Sequence, residues 1–191
     1  MDSDAVDLRE VTLSSETIFS GRVVSLRVDT VRLPGGRTST REVVAHPGAV
    51  AIVPLTDDGQ IVLIRQYRQA AGQVLLEIPA GTLDKGEAPE ACARRELAEE
   101  TGLLAGRLVR LIGSYLAPGY SSELLHVFLG VDLGPADGPD VMDADENIET
   151  LTVPVAEAVE WVLDGRVCDA KTICGILLAD RWLRHHGGEE R

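Results

Sequence analysis

The chain is poor in aromatic residues. Trp, Tyr and Phe make up 4% of its 191 residues, and Phe19 is the only one before Tyr67. Contacts that depend on aromatic rings therefore have little to draw on in the N-terminal third of the chain. Cysteine is scarce too. Cys92, Cys168 and Cys174 are an odd number with no CxxC spacing, so neither a disulfide framework nor a zinc site is visible. Reduced thiols in a cytoplasmic protein are the expectation. No stretch approaches 18 consecutive apolar residues, so no membrane-spanning helix is expected. Met1 to Glu10 is acidic and lacks an apolar run, which is unlike a secretory signal. There is no internal repeat and no long low-complexity linker.

Basic charge is the other shortage. Thirty-one acids face 18 bases, for a net charge of −13. That balance argues against non-specific binding to nucleic acid or to an anionic membrane. The deficit is local. From Leu111 to Gly165 there are eleven acids and no Lys or Arg, and Gly81 to Leu103 carries six acids against three bases. The rest of the chain is close to neutral, so a functional account must explain at least one of these two segments.

With 45% hydrophobic and 26% charged residues, the chain has the composition of a globular protein of about one domain. Alternation over Arg22 to Leu33, a turn at Pro34-Gly35-Gly36 and β-branched residues over Thr38 to Ala45 predict an N-terminal hairpin. Strands are expected at Ala49 to Leu55 and Ile61 to Tyr67, joined by the Asp57-Asp58-Gly59 turn. Further strands are expected at Val74 to Ile78, Val109 to Leu116, Leu124 to Val131 and Ile148 to Val153. Pro89 suits a first helical turn and Gly102 a helix stop, which predicts a helix ending at Thr101. Val155 to Leu163 and Ala170 to Arg184 also read as helices. Many strands, one helix set among them and two at the end point to an α+β layered fold.

The segment Gly81-Thr-Leu-Asp-Lys-Gly-Glu87, then seven residues, then Arg95-Glu96-Leu97-Ala98-Glu99-Glu100-Thr101-Gly102-Leu103 carries chemistry. On a helix, Glu96, Glu99 and Glu100 share one face. Three like charges there are unfavourable unless water or a bound cation relieves them. Hard divalent cations take oxygen ligands, and Mg²⁺ usually combines one or two carboxylates with water and substrate phosphates. Gly81 to Glu87 reads as a loop, and Arg95 is placed to neutralise Glu87 and brace that loop on the helix.

This pattern resembles the Nudix box: Gly, five residues, Glu, seven residues, Arg-Glu-aliphatic-x-Glu-Glu-x-Gly-aliphatic. Seven fixed identities match by chance on the order of once in 10⁸ start positions. The segments Arg41 to Pro54, Ile64-Arg-Gln-Tyr-Arg68, Leu76-Glu-Ile-Pro-Ala-Gly81 and Ala117-Pro-Gly-Tyr-Ser-Ser-Glu123 are similar to the ADP-ribose pyrophosphatase branch of that family. The resemblance implies an α/β/α sandwich around a mixed β-sheet, with residues 1–46 forming an N-terminal β-hairpin arm that makes a homodimer and residues 47–191 forming the hydrolase domain. It implies a Mg²⁺ cofactor, for which Mn²⁺ could substitute, and a small nucleoside diphosphate derivative as substrate.

The resemblance also assigns roles. Glu96 and Glu100 fall at metal-binding positions, with Glu99 sharing that work and the Ala80 carbonyl as a backbone ligand. Gly81, Glu87, Arg95 and Gly102 are the structural residues of the box. Glu146, in the acidic loop before the last expected strand, is the first choice for catalytic base, with Glu149 and Glu99 behind it. Arg68 matches a phosphate-contacting position. Arg65 lies three residues away and so faces the opposite side of a regular strand. Glu77 and Glu123 are further substrate-side candidates, Glu77 through water and Glu123 through ribose. Arg41 stands where some family members place an adenine-stacking ring, and its guanidinium is an alternative platform. His46 and His126 read as packed residues. The implied reaction is hydrolysis of ADP-ribose to AMP and ribose 5-phosphate. Another nucleoside diphosphate sugar such as GDP-mannose, a dinucleotide, or a non-hydrolytic sensor role are the alternatives.

Overall fold

The structure is a computed structural model that describes residues 7–136 and 147–186. The chain divides into two compact units, Met1–Pro47 with Tyr115–Glu123, and Gly48–Ser114 with Leu124–Arg191.

In the first unit, β1 (Val11–Ser20), β2 (Ser25–Arg32) and β3 (Thr38–Ala45) form an antiparallel sheet in that order. The expected hairpin is thus a three-stranded sheet. β1 escapes sequence reading because its apolar residues, Val11, Leu13, Ile18 and Phe19, keep no single alternation, and every one of its positions is exposed. The Tyr115–Glu123 segment runs alongside β3. The Val44 N–H donates to the Tyr120 carbonyl (2.7 Å), and the Ser122 N–H donates to the Val44 carbonyl (3.0 Å).

The second unit holds two sheets. β4 (Ala49–Pro54), β7 (Ala80–Thr82), β8 (Leu103–Tyr115) and β9 (Leu124–Pro135) make one, in the order β7-β4-β9-β8. β4 runs parallel to β9 and antiparallel to β7, so this sheet is mixed. β5 (Gln60–Arg68), β6 (Gln73–Glu77) and β10 (Ile148–Pro154) make the other, in the order β10-β5-β6.

Alternation along β4 builds the layers. Ala49, Ala51 and Val53 point into a cluster with Ile61, Leu63 and Ile78, together with Ala158 of α2 (Val155–Leu163) and Ile176 and Ala179 of α3 (Ala170–His186). Val50 and Ile52 point the other way, with Phe128, onto Cys92, Ala93 and Leu97 of α1 (Pro89–Thr101). The result is the α/β/α arrangement expected of the chain. Burying each Val or Ile of this strand is worth about 1.5–3 kcal/mol, so β4 fixes α1 firmly against the sheet.

α1 begins with Pro89 at its first turn and ends where Gly102 turns left-handed (φ 67°), its N–H donating to the Ala98 carbonyl (2.9 Å). Glycine adopts that conformation without a Cβ penalty. Among the described residues no helix is long and apolar enough to cross a membrane.

Candidate active site

The site is built where α1 lies against β7. Leu97 is fully buried and anchors the helix, which turns Glu96 and Glu100, four residues apart, toward Ala80 and Gly81. The Ala80 N–H donates to Glu100 Oε2 (2.8 Å), and Glu100 is only 3% exposed. Glu96 lies so close to Gly81 that a Cβ at residue 81 would sit 1.9 Å from its carboxylate carbon. Sequence reading expects Gly81 to open a loop. Instead Ala80, Gly81 and Thr82 form the short strand β7, paired with Val50 and its neighbours on β4.

Arg95 organises the acids. Its guanidinium reaches Glu87 (3.0 Å), Glu96 (2.7 Å) and Glu99 (2.9 Å). The hydrogen bond from Arg95, helped by the Asp84 N–H, holds the Glu87 carboxyl down at about 2. The repulsion on the acidic face is therefore met in part by Arg95, where water or a bound cation alone was expected. Among the described residues, no three His, Cys, Asp or Glu side chains converge as a ready-made metal cage. Such a cage is not what Mg²⁺ usually needs. Two carboxylates beside the half-buried edge-strand peptide of Ala80 and Gly81, with Arg95 already compensating part of the charge, fit a hard divalent cation that also takes water and phosphate oxygens. A nucleophilic role for Cys92 does not fit, because burial pushes its thiol up to about 12.

The remaining candidates fall into three groups. Arg68 and Glu77, expected separately on the substrate side, bind each other. Arg68 donates to both Glu77 oxygens (2.8 and 2.7 Å), and Glu77 is 1% exposed. Burial favours the neutral acid, but Arg68 and Lys171 outweigh it and the Glu77 pKa moves down. Arg65 and Glu149 form a cross-strand ion pair between β5 and β10 (2.6 Å), both well exposed. Arg65 and Arg68 therefore serve different partners. In the first unit, Arg41 pairs with Glu10 (2.5 Å) and donates to the Thr40 carbonyl, so the stacking platform imagined for it is engaged elsewhere. Glu123 is half-buried, its N–H donating to the Ser121 hydroxyl (3.2 Å). His46 is half-buried. His126 lies beside Arg110 (3.3 Å), and burial followed by that guanidinium lowers its pKa. Glu146 lies outside the described residues, as do Asp137, Asp140 and Asp143 of the acidic run.

Sequence reading missed Lys171, Asp169 and Thr172 at the start of α3. Lys171 binds Glu77 and also Asp169 (2.9 Å). Asp169 accepts from the Thr172 N–H (3.0 Å) and hydroxyl (2.6 Å), and Thr172 accepts from the Ile78 N–H (2.9 Å). An Asp three residues before a Thr at a helix start is an N-cap signal that could have flagged Asp169. Nothing in the local sequence links Lys171 to a carboxylate 94 residues away.

The geometry can be set beside known proteins. Over 169 residues the chain is 44% identical to the ADP-ribose pyrophosphatase of Bacillus subtilis, covering 88% of this chain and 91% of that one. It is 41% identical to the methanol dehydrogenase activator of Bacillus methanolicus (87% and 90% covered). It is 34% identical to the GDP-mannose pyrophosphatase of Escherichia coli K12 (86% and 92%). A crystal structure of an ADP compounds hydrolase superposes with a TM-score of 0.84 at 26% identity, covering 97% of this chain and 99% of that one. Residues 10–44 match the N-terminal domain of nucleoside diphosphate sugar hydrolases. Residues 45–174, more than half of the chain and the whole of the box with the sheets that carry it, match the NUDIX domain, and the chain belongs to that family.

Proposed function

We propose that the chain is a Mg²⁺-dependent hydrolase that splits the diphosphate of ADP-ribose, giving AMP and ribose 5-phosphate. The observation that carries the substrate is the identity to an ADP-ribose pyrophosphatase over most of both chains. The lower identity to a GDP-mannose pyrophosphatase keeps another nucleoside diphosphate sugar as the second reading.

Glu96, Glu100 and the Ala80 carbonyl would hold the cation, with Glu99 sharing. Mn²⁺ would be accepted by the same oxygens. A divalent ion there supplies charge neutralisation and Lewis acidity at phosphorus. The protein's own work is positioning. Glu87 and Arg95 fix the loop and the helix to each other. Arg68 offers a guanidinium fork to phosphate oxygens, and Arg65, paired with Glu149, is the second candidate for that contact. Glu146 takes the proton from the attacking water. Glu149 and Glu99 are weaker candidates for that task, since each is already paired with an arginine. Glu123 remains the candidate for ribose, and Arg41 would serve the nucleoside only on leaving Glu10 and the Thr40 carbonyl.

The arm, residues 1–46, is proposed to exchange between two copies. Val11, Leu13, Ile18 and Phe19 are exposed on β1, which suits a surface covered by a second chain. Light scattering should give a dimer mass, and a monomer at working concentration refutes this. The free cysteines are compatible with a cytoplasmic setting. The decisive experiment is a substrate panel with Mg²⁺ in oxygen-18 water, with product masses read. ADP-ribose should turn over fastest. Faster cleavage of GDP-mannose selects the second reading, and tight ADP-ribose binding without product selects the sensor.

A further inference from the structure

Glu77 is a buried carboxylate with two cationic partners from different parts of the chain. Arg68, on β5, grips both oxygens and remains 37% exposed. Lys171, at the start of α3, is 12% exposed and also holds Oε2. Lys171 is itself fixed by Asp169, which also holds Thr172. The two cations are not equivalent. The arginine is accessible and bidentate, while the lysine is enclosed and tied to α3. Stripping the last cation from a buried carboxylate is strongly unfavourable, so a carboxylate with Arg68 as its only partner would retain it. With Lys171 in place, Arg68 can leave.

We propose that Lys171 is a positioning residue that keeps the Glu77 charge compensated while Arg68 turns from Glu77 to an incoming diphosphate. This role presumes that Arg68 meets the diphosphate, as proposed above. Lys171 touches no substrate. It sets how readily the arginine is released.

The test is calorimetric binding of inorganic diphosphate to the full chain with chelator present, alongside ADP-ribose turnover with Mg²⁺. Lys171→Met should weaken diphosphate binding at least tenfold, and Lys171→Arg should stay within threefold of the wild type. The double variant Lys171→Met/Glu77→Gln should recover binding, because no buried charge then claims Arg68. Adding Arg68→Gln should abolish that recovery. Lys171→Met binding like the wild type overturns the proposal, as does a double variant no better than the single one. Recovery that persists without Arg68 also overturns it, by assigning the effect to net charge. If Lys171→Met fails to fold in a thermal melt, Glu77→Gln alone decides. It should bind diphosphate more tightly than the wild type, and tenfold weaker binding overturns the idea. A wild type that binds diphosphate but does not cleave ADP-ribose removes the substrate reading and leaves Lys171 untouched, whereas one that binds no diphosphate removes the proposal.

Discussion

A methyl group added at Gly81 would lie 1.9 Å from Cδ and Oε1 of Glu96 and 2.3 Å from Oε2. Ordinary contacts begin near 3.4 Å, so in Gly81→Ala the carboxylate must retreat by about 1.5 Å. It can do so, because it is the end of a flexible side chain and not backbone. The backbone has no objection either, since Gly81 is not among the residues with positive φ. Alanine in a compatible conformation stabilises by about 0.4–1 kcal/mol through the unfolded state. Loss of the partly exposed Arg95–Glu96 pair (2.7 Å) removes about 0–1 kcal/mol. The two nearly cancel, and a residue of about 1 kcal/mol would move Tm by only about 2–4 °C. Catalysis is far less tolerant. A misplacement of about 1 Å can cost a hundredfold in rate, or about 2.7 kcal/mol. The expected outcome is a near-normal melt, Mn²⁺ binding weakened at least tenfold in an electron paramagnetic resonance titration, and kcat lowered about a hundredfold. A variant that melts normally, binds Mn²⁺ normally and turns over within threefold of the wild type would refute the placement of Glu96 in the site.

Glu100→Gln should lower kcat a hundredfold or more, on the order of 3 kcal/mol, in steady-state assays with Mg²⁺. Near-normal turnover would count against its metal role. Glu146→Gln should cripple turnover while leaving substrate affinity largely intact, and wild-type rates there would move the base to Glu149 or Glu99. Leu97→Ala should destabilise the fold by about 2–5 kcal/mol in urea unfolding, because the side chain is fully buried under α1. Glu87 has its folded pKa at about 2, below its ordinary 4.5, so it contributes stability above pH 4.5 that is lost as pH falls through 2. Glu87→Gln should flatten that acid limb in melts recorded from pH 6 down to 2, and an unchanged limb would show that Arg95 does not hold the loop through this charge.

The helix of the box was legible because its signals are local. Pro89 sits in its first turn, Gly102 supplies its left-handed end, and the Glu96, Glu99 and Glu100 spacing places three acids on one side. The strands β4 and β5 were legible from continuous apolar runs around an Asp-Asp-Gly turn. β1 was not, because a strand exposed along its whole length carries no hydrophobic period. β7 was hidden for another reason. It is three residues long and carries a glycine that exists to admit Glu96, so the strand owes its place to β4 rather than to its own propensity. The ion pairs were the least legible. Arg68 and Glu77 sit on paired strands, yet the β5-β6 register sets Glu77 opposite Ile64 and Arg68 opposite Gln73, four positions apart, so even the strand pairing does not announce their contact.

That register matters because Glu77 ends one sheet and Ala80 begins the other. The four residues that cross between the sheets are each held at a different point. Arg68 and Lys171 hold the Glu77 side chain, and the Thr172 hydroxyl accepts from the Ile78 N–H. The Ile52 N–H donates to the Pro79 carbonyl (2.8 Å), and Glu100 accepts from the Ala80 N–H. A segment restrained at every residue cannot drift far, and it carries the peptide that faces Glu96 and Glu100. The acidity of the box is thereby reconciled with an anionic substrate. The box acids are not a diffuse negative surface. Glu87, Glu96 and Glu99 share one guanidinium, Glu77 has two cations of its own, and Glu100 is buried against a peptide N–H. Local compensation of this kind leaves a divalent ion less charge to neutralise before a diphosphate can approach. Removing Arg95 should therefore raise the cation's affinity for the carboxylates while loosening the loop that positions them, so that Arg95→Met binds Mn²⁺ at least as well as the wild type yet turns over more slowly. Weaker Mn²⁺ binding in that variant would mean that Arg95 orders the carboxylates more than it competes for them.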